Sequence, residues 1–423
     1  MRIVIVNTSE RKGGAATAAH RLYKALAKEG HDVFMLVRDK QSNDPQVFSI
    51  NEKPATRCMN RIRFLWERLL IFITNRFNRK KLFRVSTGHG IDLSEHPLLL
   101  SADIIHLHWV NQCFLSLNAI RKLAQRGNVV WTLHDLWPVT AVCHYPGECQ
   151  KYKKGCSHCE LLPPIAGYDW AKAVFREKAR SGLEQIYYIG CSEWITRKAK
   201  ECQWVKQIVS IPNTIDRTLF RTKERTTARR RFNLPPDKTL LLFAADNLSD
   251  TRKGAIYLVE ACRLLKEKGK EIELLFMGNA SEELSSAFPY KVNNLGYLTD
   301  PEAIADAYNC ANLFVIPSLE DNLPNTIIEA MACGVPCIGF RTGGIPEIID
   351  HCQNGYLADR KDAAGLVTGI EWIIEHAGET LSAACTGKVD RCYSETAVTK
   401  QYTFIYRKLS EHATEIFNHH RNL

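Results

Sequence analysis

No stretch of this 423-residue chain approaches the ~20 consecutive apolar residues that a membrane-spanning helix needs. Its opening, MRIVIVNTSE, lacks a charged n-region followed by a long apolar segment. It therefore reads as a first strand and not as a signal peptide, and a cytoplasmic location is the expectation. The loop after that strand has no full G-x-G-x-x-G fingerprint, which removes the simplest dinucleotide-binding reading. No run of base-stacking aromatics lines a basic groove and no nucleic-acid module is recognisable, so no nucleic-acid partner is expected despite a net charge of +10. The chain also lacks the low hydrophobicity of disordered segments, since 45% of it is apolar and 24% charged.

What is present is a repeating alternation of strand and helix patterns. Arg2–Asn7, Asp32–Val37, Asp103–Trp109, Asn128–His134, Tyr187–Gly190 and Gln207–Ile211 read as strands, with helical spacing between them, for example over Ala15–Glu29 before Gly30. Leu240–Ala244, Glu273–Met277, Leu313–Ile316 and Pro336–Phe340 repeat the scheme with helices at Ala255–Lys268, Pro301–Cys310 and Pro324–Cys333. Such alternation implies βαβ units and parallel sheets. The length implies two domains. We place a Rossmann-like domain at 1–211, a linker at 212–224 and a second Rossmann-like domain at 225–396. A final helix, 397–423, would pack back on the first domain. Two doubly wound domains facing across a cleft would present ligand loops at the carboxyl ends of their strands.

Those loops carry the chemistry. "LFVIPS" reads as a strand, "LEDNL" as a turn and "PNTIIEAMAC" as a helix, with Pro324 at or near its first position. Amides around Leu323–Thr326 would form an anion site. Asp321 and Glu329, eight positions apart, flank that helix entrance. A carboxylate accepts two hydrogen bonds well and suits the vicinal diol of a ribose or sugar. The bland alternative is that Asp321 or Asn322 caps the helix and Glu329 faces water. Gly13-Gly14 lie between the first strand and its helix, where backbone can approach a phosphate. Arg252-Lys253 sit at a helix entrance in the second domain, able to balance a diphosphate or simply to be solvated. Gly343-Gly344 follow another strand. His106 and His108 lie in the Asp103–Trp109 strand, and His134 ends another first-domain strand. A lone strand histidine is more often structural, and His134, followed by Asp135, is the strongest candidate of the three.

With these stretches in hand, the chain resembles the retaining glycosyltransferases of the GT-B fold in the glycogen-synthase-like family (family 4 type), and among them bacterial enzymes that build surface polysaccharides. The matching text is "GGAATAAHRLYKALAKEGHDV", "DIIHLHW", "TLHD", "VSIPNTID", "RKG", "LGYL", "DNLPNTIIEAMACGVPCIGFRTGGIPEII" and "NGYL". The resemblance implies a nucleotide-sugar donor, a glycan or polyprenyl-linked glycan acceptor, and no cofactor obligatory for catalysis. It implies that Glu329 binds the ribose. Asp321, with Glu320 beside it and the backbone of Asn322, Leu323, Pro324 and Asn325, would hold the donor sugar and diphosphate. Lys253, with Arg252, would neutralise the leaving phosphate, and Gly13 and Gly14 would close on it. His134 would contact the donor sugar, with His108 and Asp135 on the acceptor side. The family's first motif acid is usually Glu, one methylene longer than Asp321. A basic residue usually precedes the Lys by several positions, where this chain reads Ala245-Asp246-Asn247. A sugar-nucleotide epimerase on the same fold and, further off, a basic nucleic-acid binder are the alternative readings.

Fifteen cysteines in such a chain read mainly as reduced core thiols, as at Cys191, Cys262, Cys310, Cys333 and Cys337. Cys143, Cys149, Cys156 and Cys159 are different. Their C-x-x-C end can build a structural zinc site, although the other spacings are not those of a standard finger. Two segments concentrate positive charge: 57–84 has nine basic residues and one acid, and 217–231 seven and one. The first mixes in Phe64, Trp66, Phe72 and Phe77. It reads as an amphipathic segment able to lie peripherally on an anionic membrane, or as an ordinary helix with a solvated basic face.

Overall fold

A computed structural model describes residues 1–78 and 82–421, with side chains to residue 411. The chain divides into two compact units. One is Met1–Ile211 together with the chain from Thr399 onward, and the other is Pro212–Val398.

The first unit is built on a seven-stranded parallel sheet. Its strands are β1 (Arg2–Ser9), β2 (Asp32–Asp39), β3 (Val47–Ser49), β4 (Ile104–Leu107), β5 (Val129–Leu133), β6 (Tyr187–Gly190) and β7 (Gln207–Ser210), in the spatial order β3-β2-β1-β4-β5-β6-β7. Ile3, Val4, Ile5 and Val6 are all fully buried. Such an unbroken apolar run is expected where helices cover both faces of a parallel sheet. The helix Gly14–Lys28 ends as the Gly30 signal predicts. The Gly30 amide donates to Ala27 O and the His31 amide to Leu26 O, with Gly30 at φ 84°, a Schellman stop. The last helix, Glu395–Arg421, lays Tyr402 and Tyr406 into this unit, where both are buried.

The second unit holds a six-stranded parallel sheet of β8 (Leu240–Asn247), β9 (Glu273–Asn279), β10 (Val292–Asn294), β11 (Leu313–Ile316), β12 (Cys337–Phe340) and β13 (Gly355–Ala358), ordered β10-β9-β8-β11-β12-β13. Residues 212–224, expected as a linker, are part of this unit. Ile215 pairs with Ser394 and its amide donates to Tyr393 O at 2.9 Å, while Phe220 is buried. The stretch is polar in composition, but its few apolar residues point inward and anchor it.

In each sheet the strand order reverses once, between β1 and β4 and between β8 and β11. Connections from the two strands at such a point leave in opposite directions and open a crevice at their carboxyl ends. That places 8–14 and 108–109 at one crevice and 248–254 and 317–325 at the other.

Candidate active site

In the second unit, the turn after β8 brings Arg252 and Lys253 against the loop after β11. Lys253 Nζ donates to Asp321 Oδ2 at 2.6 Å, and Arg252 Nη1 lies 3.4 Å from the same oxygen. Ser318 Oγ also donates to Asp321 Oδ2, at 3.3 Å. Arg252 is tied to the loop twice more: its side chain donates to Glu320 O at 2.8 Å and its carbonyl accepts the Leu319 amide. Burial pushes the Asp321 carboxyl up, but the adjacent ammonium and guanidinium outweigh it and hold it below the ordinary carboxylate range. Two cations thus share the Asp321 carboxylate, and Arg252 also lies 3.8 Å from Asp250 Oδ2.

Close backbone packing makes this contact possible. Gly254 has φ 72°, and a Cβ there would lie 1.8 Å from Pro317 O. Gly343 has φ 60°, and a Cβ there would meet Asp321 O at 1.6 Å. Only glycine permits either approach. The Gly344 amide then donates to Asp321 O, closing the loop from the β12 side.

The helix entered from this loop runs Asn325–Ala332, with Pro324 as its N-cap residue at φ −67°, ψ 112°, one position earlier than expected. First-turn amides have no carbonyl four residues back within their helix. Asn322, Leu323 and Pro324 are buried before it, and Glu320 and Asn325 are half-buried. Asn325 Oδ1 accepts from Asn213 Nδ2 at 2.9 Å, a partner inside "VSIPNTID" that sequence reading left without a role. Glu329 does not face water, as the bland reading had it. It is buried, and Tyr308 OH donates to its Oε2 at 2.7 Å. Tyr308 had no signal in the sequence, because it closes the preceding helix, 21 positions away.

The first unit presents a row of imidazoles at the ends of β4 and β5. His108 Nδ1 and His134 Nε2 are 2.9 Å apart with their rings stacked. His106 lies behind them, bonded through Nε2 to Thr132 Oγ1 and through Nδ1 to Tyr406 OH, both at 2.7 Å. His106 is fully buried and structural. Burial lowers His134 to about 4, His106 to about 3 and His108 well below its usual value, so the row is uncharged near neutrality. His134 is the least buried of the three. Asp135 does not reach outward toward an acceptor. Its Oδ2 accepts from Trp109 Nε1 and His144 Nδ1, each at 2.7 Å, and its Oδ1 from the Trp137 amide. It braces the loop that holds His134. Gly13 begins the Gly14–Lys28 helix at φ 94° with open space beside its Cα.

The four cysteines of the 143–159 segment are free thiols, Cys143 buried, Cys149 exposed and Cys156 and Cys159 half-buried. Among the described residues, no group of three or more His, Cys, Asp or Glu side chains is placed to hold a metal ion. His144 is committed to Asp135, and His158 approaches Asp169. Cys191, Cys262, Cys310, Cys333 and Cys337 are buried, as their apolar context implies.

Two domain families match the chain: Glycosyltransferase Family 4 over residues 12–219 and Glycosyl transferases group 1 over residues 238–376. The chain belongs to these glycosyltransferases. A colanic acid biosynthesis glycosyl transferase of Escherichia coli K12, WcaC, is 26% identical over 97% of this chain and all of that protein. The D-inositol 3-phosphate glycosyltransferase of Xylanimonas cellulosilytica is 26% identical over 83% of this chain and 80% of its own. The amylovoran biosynthesis glycosyltransferase AmsK of Erwinia amylovora is 27% identical over 38% of this chain and 42% of its own. Among solved structures, sucrose-phosphate synthase from Thermosynechococcus elongatus superposes with a TM-score of 0.68 at 21% identity, covering 96% of this chain and 98% of that one. Anabaena HepE in complex with UDP and glucose gives 0.64 at 15%, covering 96% and 99%. The fold of this glycosyltransferase is GT-B. The charged cluster and the imidazole row lie within the matched regions, so both are features of glycosyltransferase domains.

Proposed function

We propose that this glycosyltransferase moves a sugar from a nucleotide-diphosphate donor to a glycan or polyprenyl-linked glycan acceptor, with retention of anomeric configuration, in polysaccharide biosynthesis. The observation that carries the donor reading is the Arg252–Lys253–Asp321 cluster at the strand-order reversal of the second sheet. Asp321 holds both cations in place before a ligand arrives, so they need little reorganisation when an anion enters. A diphosphate would engage their remaining donors and the first turn of the Asn325–Ala332 helix. As the glycosidic bond breaks, the diphosphate oxygens gain charge, and fixed cations favour that state over the ground state. Glu329, oriented by Tyr308, would accept from the ribose hydroxyls. Within the first unit, neutral His134 offers a sugar hydroxyl a hydrogen-bonding group that carries no positive charge.

Other supports are comparative. HepE, of the same fold, is solved with UDP and with UDP-glucose, and WcaC and AmsK carry names from exopolysaccharide assembly. The family resemblance supports retention. The test is incubation with UDP-, GDP- and ADP-sugars, with and without acceptor. Transfer that requires acceptor, giving a product with the donor's anomeric configuration by NMR, is expected. Conversion of the donor sugar with no acceptor present would instead establish the epimerase, and an inverted product would remove retention.

A further inference from the structure

The helix Pro54–Thr74 is oriented against the usual rule. Asn60, Glu67, Arg68, Ile71 and Thr74 are its buried residues. At 100° per residue they share one face. The opposite face carries Met59, Ile62, Trp66, Leu69 and Ile73, all exposed, with Ile62 at 61% and Trp66 at 60%. A surface helix normally buries its apolar stripe and exposes its polar one. Here polar and charged groups are turned inward and largely paired; of the Glu67 and Arg68 side-chain atoms, Arg68 Nε is the buried one that lacks a partner. Glu67 accepts from Thr87 and Arg68, and Arg68 donates to Leu82 O and Val85 O.

The apolar face is concentrated and continuous. Eight of the fifteen exposed large apolar side chains among the described residues lie between Met59 and Phe83. The surface runs on into a groove of 420 Å³ between Leu70–Thr74 and Trp170–Val174, with exposed Ile165 and Tyr168 at its rim. Patches of this kind are rare on soluble surfaces unless something covers them.

Charge says what covers it. Exposed Lys53, Arg57, Arg61, Arg63, Arg76 and Arg84 flank the stripe, and the only acid from 53 to 84 is the buried Glu67. Arg79, Lys80 and Lys81 lie outside the described residues. Two copies packed face to face would bring six exposed basic residues of each together with, among the described residues, only Glu52 and Glu177 beside the patch to meet them. An apolar stripe about 20 Å long with cationic edges matches a bilayer surface, where side chains enter the acyl boundary and the flanks meet anionic headgroups. No helix of the described chain is long and apolar enough to cross a membrane.

We propose that the Pro54–Thr74 helix docks this glycosyltransferase flat on an anionic lipid bilayer. This goes beyond the donor chemistry and does not depend on it. The test is co-sedimentation of the full chain with vesicles of phosphatidylcholine alone and with added phosphatidylglycerol. Binding only to the anionic vesicles, weakened by salt, is expected. Ile62→Glu with Trp66→Glu, and separately Arg57→Glu with Arg61→Glu, should each weaken it at least about tenfold. Every substituted side chain is exposed, and an unchanged circular dichroism melt verifies folding. Vesicles should shift the emission of the wild type to the blue, and Trp66→Phe should remove most of that shift. The proposal is overturned by absent binding, by equal binding to phosphatidylcholine, or by binding that survives Ile62→Glu with Trp66→Glu. A dimer dissolved by that pair, without vesicle binding, would reassign the face to a second copy. Stabilisation by nucleoside diphosphates should be the same in these variants, which separates failure here from failure of the donor reading.

Discussion

The two strand-order reversals solve the problem of burying polar groups in opposite ways. In the second unit opposite charges are brought together: Lys253 and Arg252 meet Asp321, and Arg252 also lies near Asp250. In the first unit the groups are kept neutral by burial: His108 and His134 stack and bond to each other, and His106 behind them bonds to Thr132 and Tyr406. A preassembled charge suits a diphosphate, whose own charge grows during the reaction. A neutral hydrogen-bonding row suits sugar hydroxyls, which carry none.

Removing the cation should break the contrast most severely. Lys253→Ala leaves buried Asp321 with Arg252 alone, and kcat/KM for transfer should fall by about a thousandfold. A variant within threefold of the wild type would show that the charged cluster is structural. Glu329→Ala should follow, with most activity lost, the donor KM raised by about ten- to a hundredfold and the melting temperature little changed. Unaltered donor affinity would remove the ribose role.

The neutral side makes a prediction in pH. His134 titrates at about 4 in the folded protein and at about 6.5 when unfolded. Between these values the unfolded chain binds the additional proton, so stability falls as pH drops from 6.5 toward 4, by up to about 1.4 kcal/mol per pH unit. His134→Gln removes that contribution, and its drop in Tm from pH 7 to pH 5 should be smaller than in the wild type. An identical drop would mean that His134 is not buried neutral. The smallest effect is expected from Tyr308→Phe. It leaves Glu329 in place without one hydrogen bond, and the donor KM should rise only a few-fold.

Much of this was legible in the sequence. Strand and helix alternation, the helix stop at Gly30, and the placing of Asp321 and of Arg252-Lys253 in loops just after strands follow from local pattern in doubly wound sheets, whereas their joint donor role came from the family resemblance and their direct ion pairs were not foreseen. Pairings between distant segments did not. Tyr308 meets Glu329 across two helices, and Tyr406 reaches His106 across 300 positions, contacts that no spacing rule connects. The 212–224 stretch looked like a linker because its polar residues outnumber Ile215 and Phe220, yet those two decide where it packs. Arg217–Arg231 read as a basic surface, but Arg217, Lys223 and Arg231 pair with Asp390, Glu302, Asp306 and Asp300, and Arg229 is buried against carbonyls. In the Pro54–Thr74 helix periodicity identified an amphipathic element, but not that its polar face is the one turned inward.

The most direct test is a thermal-shift titration of the wild type and Lys253→Ala with UDP, GDP and ADP, since a ligand that binds the folded state raises Tm by mass action. At least one nucleoside diphosphate should stabilise the wild type, and Lys253→Ala should lose most of that shift. A shift of equal size in both proteins, or none with any nucleotide, would contradict a diphosphate seated on the Lys253–Asp321 cluster.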